Sequence, residues 1–221
     1  MNGAKFQKLI FSVLVFLYFL ALASGCSSLP NLTFQKERLQ KYHDSGKYEA
    51  DIQSVIDRAT VHVKNRAASG EQNLAIVLDI DETSLTDWDY ILAYDFGWDK
   101  KSFSDWIERA NAKPIQPTLQ FYCFAKKLGI KVFFITGRTQ DFEQATVKNL
   151  NAAGYENFDG VFLKPVTDHS PSVSTFKTST RRRLSDQGLK IIANIGDQDS
   201  DLKGGFAECA FKLPDPFYYS P

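Results

Sequence analysis

Three polar clusters in this sequence carry residue types that could work on one substrate. The first is Asp79-Ile80-Asp81-Glu82-Thr83, with two carboxylates separated by a single residue. Alternate residues leaving a strand point the same way, so Asp79 and Asp81 can face one small site, one as a nucleophile and the other as an acid and base. Carboxylates this close repel each other unless a cation sits between them. The second cluster, Gly196-Asp197-Gln198-Asp199-Ser200-Asp201, adds Asp197 and Asp201. Oxygen ligands beside a substrate phosphate are the usual surroundings of magnesium. The third, Thr136-Gly137, offers a hydroxyl and backbone N–H groups at what reads as a strand-to-helix turn, a place suited to phosphate oxygens.

The elements around these clusters explain how they could meet. Leu74-Ala75-Ile76-Val77-Leu78 is a short apolar run ending at Asp79, the pattern of a strand buried on both faces. Lys131 to Ile135 ends at Thr136, and Lys190 to Ile195 ends at Gly196-Asp197. Two further strands are expected at Gly160 to Leu163 and Cys209 to Leu213. Helices are expected at Thr118 to Leu128, Asp141 to Ala153 and Thr178 to Gln187, each followed by or closing near a glycine. Upstream, Ile52, Val55, Ile56, Ala59 and Val63 form one apolar helical stripe. Strands alternating with helices imply an α/β fold with a parallel sheet, whose ligands bind beyond the carboxyl ends of the strands. All three clusters lie at such ends.

The order of the motifs is more specific than any one of them. A D-x-D-x-T after a buried strand, a strand ending in Thr-Gly, a lysine, and a strand ending in G-D-x-x-x-D resemble the four-motif signature of the haloacid-dehalogenase (HAD) phosphohydrolases. The flanks narrow the resemblance. Tyr42-His43-Asp44-Ser45-Gly46-Lys47-Tyr48, the LDIDET motif, NIGDQDSDL from Asn194 to Leu202 and Leu213-Pro214-Asp215-Pro216-Phe217-Tyr218 are similar to the subfamily IIIB acid phosphatases. That group includes bacterial class C lipoprotein phosphatases and plant vegetative storage proteins. Two positions depart from the class C pattern: Thr-Asn-Arg there is Thr136-Gly137-Arg138 here, and an asparagine shortly after the first motif is replaced within Leu85-Thr86-Asp87-Trp88.

This resemblance implies a Rossmann-like sheet of strand order 5-4-1-2-3, a helical N-terminal addition and a small helical cap inserted at about 84–116. It implies Mg²⁺-dependent hydrolysis of phosphomonoesters, as a broad acid phosphatase or a 5'-nucleotidase, favoured on the acidic side of neutrality. Asp79 would be the nucleophile and Asp81 the acid and base. Asp79, Asp81 (through its carbonyl), Asp197 and Asp201 would serve the metal. Thr136, Gly137 and Lys177 would bind phosphate. Lys177 opens the helix leading to the acidic strand, where the family's lysine usually lies; Lys164, before Pro165, is the other candidate. Arg181, Arg182 and Arg183 read as a solvated basic face. Within the insertion, Trp88, Tyr90, Tyr94, Phe96, Trp98, Phe103 and Trp106 form either the core of the cap or a stacking surface, with Trp88 and Tyr90 nearest the first motif and so the candidates for substrate contact. Two other classes compete. A phospho-accepting domain would lack use for Asp81, and a storage or binding protein would not need Asp79 intact.

The remaining features concern location. Behind Lys5 and Lys8, the uncharged apolar run from Leu9 to Ala23 reads as an export signal, with an uncleaved signal anchor or ordinary signal-peptide cleavage nearby as the alternatives to a lipid-anchored form. Ala23-Ser24-Gly25-Cys26 resembles a bacterial lipobox, which makes 1–25 a lipoprotein signal peptide and Cys26 the lipidated residue. Residues 26–40 would then be a tether and 41–221 the phosphatase domain, held by its lipid at a bacterial membrane, the outer one by the residue after Cys26, and facing the periplasm or cell surface. Cys123 and Cys209 remain, as two buried free thiols or as a pair. With 26 basic and 26 acidic side chains, the chain has no overall field to favour a nucleic-acid polymer or an anionic membrane.

Overall fold

The computed structural model describes residues 30–168, 170 and 172–219. The run from Leu9 to Ala23 and Cys26 lie outside the described residues. The chain divides after Arg38 into two units. Of the first, residues 30–38 are described and hold the start of helix α1 (Leu32–Asp44), so the stretch read as a tether is helical from Leu32. Among the described residues no helix is long and apolar enough to cross a membrane.

The second unit, from Leu39 onward, is built on five parallel strands. These are β1 (Leu74–Leu78), β4 (Lys131–Thr139), β5 (Gly160–Lys164), β6 (Lys190–Gly196) and β7 (Cys209–Lys212). They lie in the order β5-β4-β1-β6-β7, all pairs parallel. Counted among the main strands alone, this is the expected 5-4-1-2-3 order read from the opposite edge. Every residue of β1 is buried, as its unbroken apolar sequence requires of a central strand covered on both faces. Ile76 and Leu78 face a layer that includes Ile52, Ile56, Ala59 and Val63 of α2 (Lys47–Ala67) and Phe121 of α5 (Gln116–Lys127), while Ala75 and Val77 face Leu184 of α7 (Val173–Asp186). The predicted stripe on α2 is buried in full.

Between β1 and α5 comes the insertion. A short antiparallel ribbon, β2 (Leu85–Thr86) with β3 (Lys113–Pro114), closes its neck, and α3 (Trp88–Ala93) and α4 (Lys100–Arg109) form its body. Helix α6 (Glu143–Ala152) locks the neck: the Asn149 side-chain amide donates to the Ala112 carbonyl at 2.8 Å and its oxygen accepts from the Ala112 N–H at 3.0 Å.

Three expectations need correction. Strand β4 does not end at Ile135 but continues through Thr139, with a break in register between Thr136 and Thr139, so Thr136-Gly137 lies at a strand irregularity and not at a helix entrance. Helix α7 begins at Val173, with Ser172 capping it, so Lys177 sits inside the helix and not at its opening. The cysteines are both free, as one reading held, but neither is fully buried: Cys123 is exposed and Cys209 partly so.

Candidate active site

The carboxyl ends of β1, β4 and β6 bring the predicted residues together. Asp79 leaves β1 with its N–H still bonded to the Ile195 carbonyl at 3.0 Å, and the chain then curls tightly. The Ile80 carbonyl accepts from the N–H groups of Ser84 and Leu85, both at 2.8 Å. Ser84 Oγ donates to the Asp79 carbonyl at 2.6 Å, and Thr83 Oγ1 donates to Asp197 Oδ1 at 2.7 Å, so the Ser and Thr of the motif fix it to both acidic strands. Glu82, fully buried and in a left-handed conformation at φ 50°, anchors the far side by accepting from the Tyr48 hydroxyl at 2.7 Å and the Asp87 N–H at 2.5 Å. Neither Glu82 nor Tyr48 was singled out from the sequence.

Of the two candidate lysines, Lys177 is the one that reaches the acidic cluster. Its Nζ lies 2.5 Å from Asp79 Oδ1 and 2.5 Å from Asp201 Oδ1, and all three side chains are buried. Lys164 instead reaches the Ser170 carbonyl at 3.4 Å, on the rim of the same cavity. Asp201 can approach this closely because of Gly196, where a Cβ would stand 2.3 Å from the Asp201 Cβ. Asp79, Asp197 and Asp201 each present a carboxylate oxygen, and these oxygens lie within 4.8 Å of one another. Burial, then the charge of Asp201, pushes the Asp79 carboxyl well above its ordinary range despite the pull of Lys177. Burial and the charges of Asp201 and Asp215 do the same to Asp197. Lys177 shows the converse: burial opposes its charge, but Asp201 and Asp79 outweigh that and hold it protonated.

Asp81 is turned from this group toward Arg138. The guanidinium Nε stands 3.0 Å and Nη2 2.6 Å from Asp81 Oδ1, while Nη1 reaches Thr146 Oγ1 on α6 at 3.3 Å. Burial raises the Asp81 carboxyl, yet Arg138 more than reverses this and leaves it below its ordinary range. Arg138 follows Thr136 by two residues on one strand, so the period-2 rule that placed Asp81 beside Asp79 could also have placed Arg138 beside Thr136. With Asp81 paired to Arg138, the clustered carboxyls of Asp79, Asp197 and Asp201 have Lys177 as the cation among them, an imbalance that a divalent cation would neutralise.

The site opens into a cavity of about 650 Å³ lined by Asp79, Asp81, Gly137, Arg138, Lys177 and Asp201 at its base and by Tyr90, Phe96, Trp98, Phe103 and Phe142 above. The C-terminal segment contributes Phe217 and Tyr218, which end the last stretch of family resemblance but were given no place in the site from the sequence, and Tyr219 beyond them. Tyr218 also donates to Asp197 Oδ2 at 3.0 Å, beside the Gln198 amide at 2.7 Å. Trp88, expected to touch substrate, is 7% exposed and does not line the cavity; its indole stacks on His43 at 3.8 Å between ring centroids and packs on Phe217. It is part of the root of the cap, which explains the Tyr42-His43 end of the N-terminal motif. Tyr90 does line the cavity, with its hydroxyl tied to Ser102 at 3.0 Å.

Residues 20–221 match the family model described as HAD superfamily, subfamily IIIB (acid phosphatase). The chain belongs to this family of acid phosphatases. Acid phosphatase 1 of Solanum lycopersicum is 33% identical over 176 residues, covering 78% of this chain and 69% of the relative. Vegetative storage protein 1 of Arabidopsis thaliana is 31% identical over 181 residues, covering 80% and 67%. The class C acid phosphatase of Bacillus anthracis shares the fold at a TM-score of 0.71, with 23% identity over 85% of this chain and 86% of that one.

In this phosphatase the arginine run after Lys177 is not the uniform solvated face expected of it. Arg181 is fully buried and serves as a bracket beneath the acidic loop: Nη1 donates to the Asp201 carbonyl at 2.6 Å, Nε to the Gly205 carbonyl at 2.9 Å, and Nη2 to the Lys203 carbonyl. Arg182 is exposed, and Arg183 lies over the Phe162 ring at 5.0 Å. Arg181→Met would leave the Gly205 carbonyl without this donor, while that of Asp201 keeps the Asn194 amide and that of Lys203 the Thr178 hydroxyl, and unfolding in urea should show a loss of about 1–3 kcal/mol. A loss within the error of the wild-type midpoint would mean that water replaces the guanidinium.

Proposed function

We propose that the chain hydrolyses phosphomonoesters through a transient aspartyl phosphate on Asp79, with Mg²⁺ as cofactor. The observation that carries this is the convergence of Asp79, Lys177 and Asp201 on one buried point, with the Asp81–Arg138 pair in the same cavity. An Asp79 carboxylate oxygen attacks phosphorus in line as the ester P–O bond breaks. Asp81 protonates the departing oxygen, then takes a proton from the water that cleaves the acyl phosphate. Lys177, Thr136 and the Gly137 N–H hold the phosphoryl oxygens, and Asp201 keeps Lys177 aimed.

The donor set fits the metal. Asp79, Asp197 and Asp201 offer only carboxylate oxygens, with no thiol or imidazole among them, which suits Mg²⁺. The Asp81 carbonyl completes the set implied by the family resemblance. When bound, Mg²⁺ supplies charge neutralisation for the incoming phosphate among these carboxylates.

Two features bear on substrate. The aromatic walls favour an aryl or nucleoside leaving group over a small polar one. Arg138 keeps Asp81 ionised at rest, so its role as base is ready while its role as acid must be prepared, which favours leaving groups that need little protonation. Purified protein with Mg²⁺ should therefore turn over p-nitrophenyl phosphate readily, and nucleoside monophosphates, whose leaving alkoxide needs a proton as glycerol's does, with kcat/KM at least ~10-fold above glycerol phosphate, a difference of about 1.4 kcal/mol in transition-state binding. Equal turnover of all three would remove the aromatic walls from the account of selectivity.

The apolar run behind Lys5 and Lys8 supports export, and Cys26 supports a lipid anchor. In a bacterial host fed labelled palmitate, wild type should take up label and Cys26→Ser should not. An unlabelled wild type would leave export without an anchor.

A further inference from the structure

Away from the lining of the phosphatase cavity, the edge strand β7 begins with Cys209, which pairs with Ala193 midway along β6 and whose Sγ lies 3.8 Å from His62 Nδ1 on α2. The imidazole is held in one orientation by the backbone. Between β1 and β6 the register slips: Ala75 pairs with Ile191 but Ile76 pairs with Ala193, leaving Ile192 as an extra residue. The Ile192 carbonyl lies 2.9 Å from His62 Nε2. A carbonyl can only accept, so Nε2 carries the proton, and in the neutral ring Nδ1 is then the bare nitrogen facing the thiol. Phe211, two residues beyond Cys209 on the same strand, packs at 5.9 Å from the imidazole and confines it. Cys123, by contrast, is the more exposed of the two thiols.

We propose that Cys209 and His62 form a thiol–imidazole pair that makes Cys209 the site of exchange with low-molecular-weight disulfides. As the Cys209 sulfur attacks one sulfur of the disulfide, its proton passes to His62 Nδ1, the disulfide's S–S bond breaks, and a new bond joins Cys209 to the attacked half. The other half leaves as a thiolate and takes the proton back from His62, so one disulfide and one thiol yield one mixed disulfide and one thiol. Exposure alone would direct the reaction to Cys123, whereas a base on the thiol directs it to Cys209.

The test uses the native full chain incubated with oxidised glutathione, quenched in acid and mapped by peptide mass spectrometry. At pH 7 Cys209 should acquire the glutathionyl group at least about tenfold faster than Cys123. The change His62→Gln keeps an amide donor for the Ile192 carbonyl but removes the base, and should bring Cys209 down to the Cys123 rate with turnover of p-nitrophenyl phosphate unchanged. On the wild type alone, the lead of Cys209 over Cys123 should be larger at pH 7 than at pH 9, where the thiolate forms without a neighbouring base, a comparison that holds even if the variant does not fold. Faster modification of Cys123, parallel pH profiles, or a Cys209 rate unmoved in a folded His62→Gln protein would overturn the proposal.

Discussion

Asp79→Asn should lower kcat for p-nitrophenyl phosphate by ~10³-fold or more, because an amide cannot form the acyl phosphate on which both half-reactions depend. The same change should leave the metal-free fold as stable as before. Asp79 is buried, and burial and its acidic neighbours press its carboxyl toward the neutral form. Lys177 gives up one ionic partner in the variant but keeps Asp201 at 2.5 Å. The lost ion pair is therefore offset by relief of repulsion among Asp79, Asp197 and Asp201, and a thermal melt in chelator should lie at or above the wild-type midpoint. The two measurements together separate chemistry from folding. Residual turnover within tenfold of wild type would remove Asp79 from its role, while inactivity accompanied by a large fall in melting temperature would indicate that the carboxylate holds the fold together.

The aspartates and the lysine that the fold gathers in this site stand at positions marked in the sequence, because chemistry restricts their types and the parallel sheet restricts their places, whereas Arg138 was passed over although it lies two residues beyond Thr136 on the same strand. Buried apolar runs ending in Asp79, Thr136 and Asp197 have few alternatives to adjacent strand ends. What escaped was of a different kind. Arg181 looks like its neighbours Arg182 and Arg183 in one dimension, and only the fold of the loop from Asp201 to Gly205 turns three carbonyls toward it. Trp88 stands as close to the first motif as Tyr90 does, yet helix α3 turns one indole back onto His43 and the other ring toward the cavity. The contribution of Phe217 and Tyr218 depends on the chain returning from β7 across the mouth of the site, a long-range event that no local periodicity encodes. The left-handed conformation at Glu82 has the same origin, since contacts with Tyr48 and the Asp87 backbone outweigh its local cost.

Removal of metal should abolish turnover and should also make stability depend on pH in a definite direction. Asp79 and Asp197 have carboxyl pKa values raised well above those of the unfolded chain, first by burial. At a pH below the unfolded value both states are protonated and neither residue costs anything. As pH rises, the unfolded chain ionises first, binds fewer protons than the native state, and is favoured, so stability falls until the native groups ionise as well. Asp81 acts in the opposite sense, since Arg138 lowers its pKa and adds stability above the unfolded value, but Glu82, Asp87 and Asp215 are raised by burial as Asp79 and Asp197 are, and the buried carboxyls as a set follow those two. In chelator the melting temperature should therefore decline from about pH 5 to pH 8. Mg²⁺ binds the ionised carboxylates and should reverse the trend, raising the midpoint more at pH 8 than at pH 5. At a hundredfold excess over its dissociation constant the gain is about 2.7 kcal/mol, which for a chain of this size corresponds to roughly 5–10 °C. A Mg²⁺ shift that is equal at both pH values would mean that the metal does not bind where Asp79 and Asp197 meet. Full turnover after chelation would dispense with the metal altogether, and the two carboxylates would then have to be neutralised by protons, confining activity to acid.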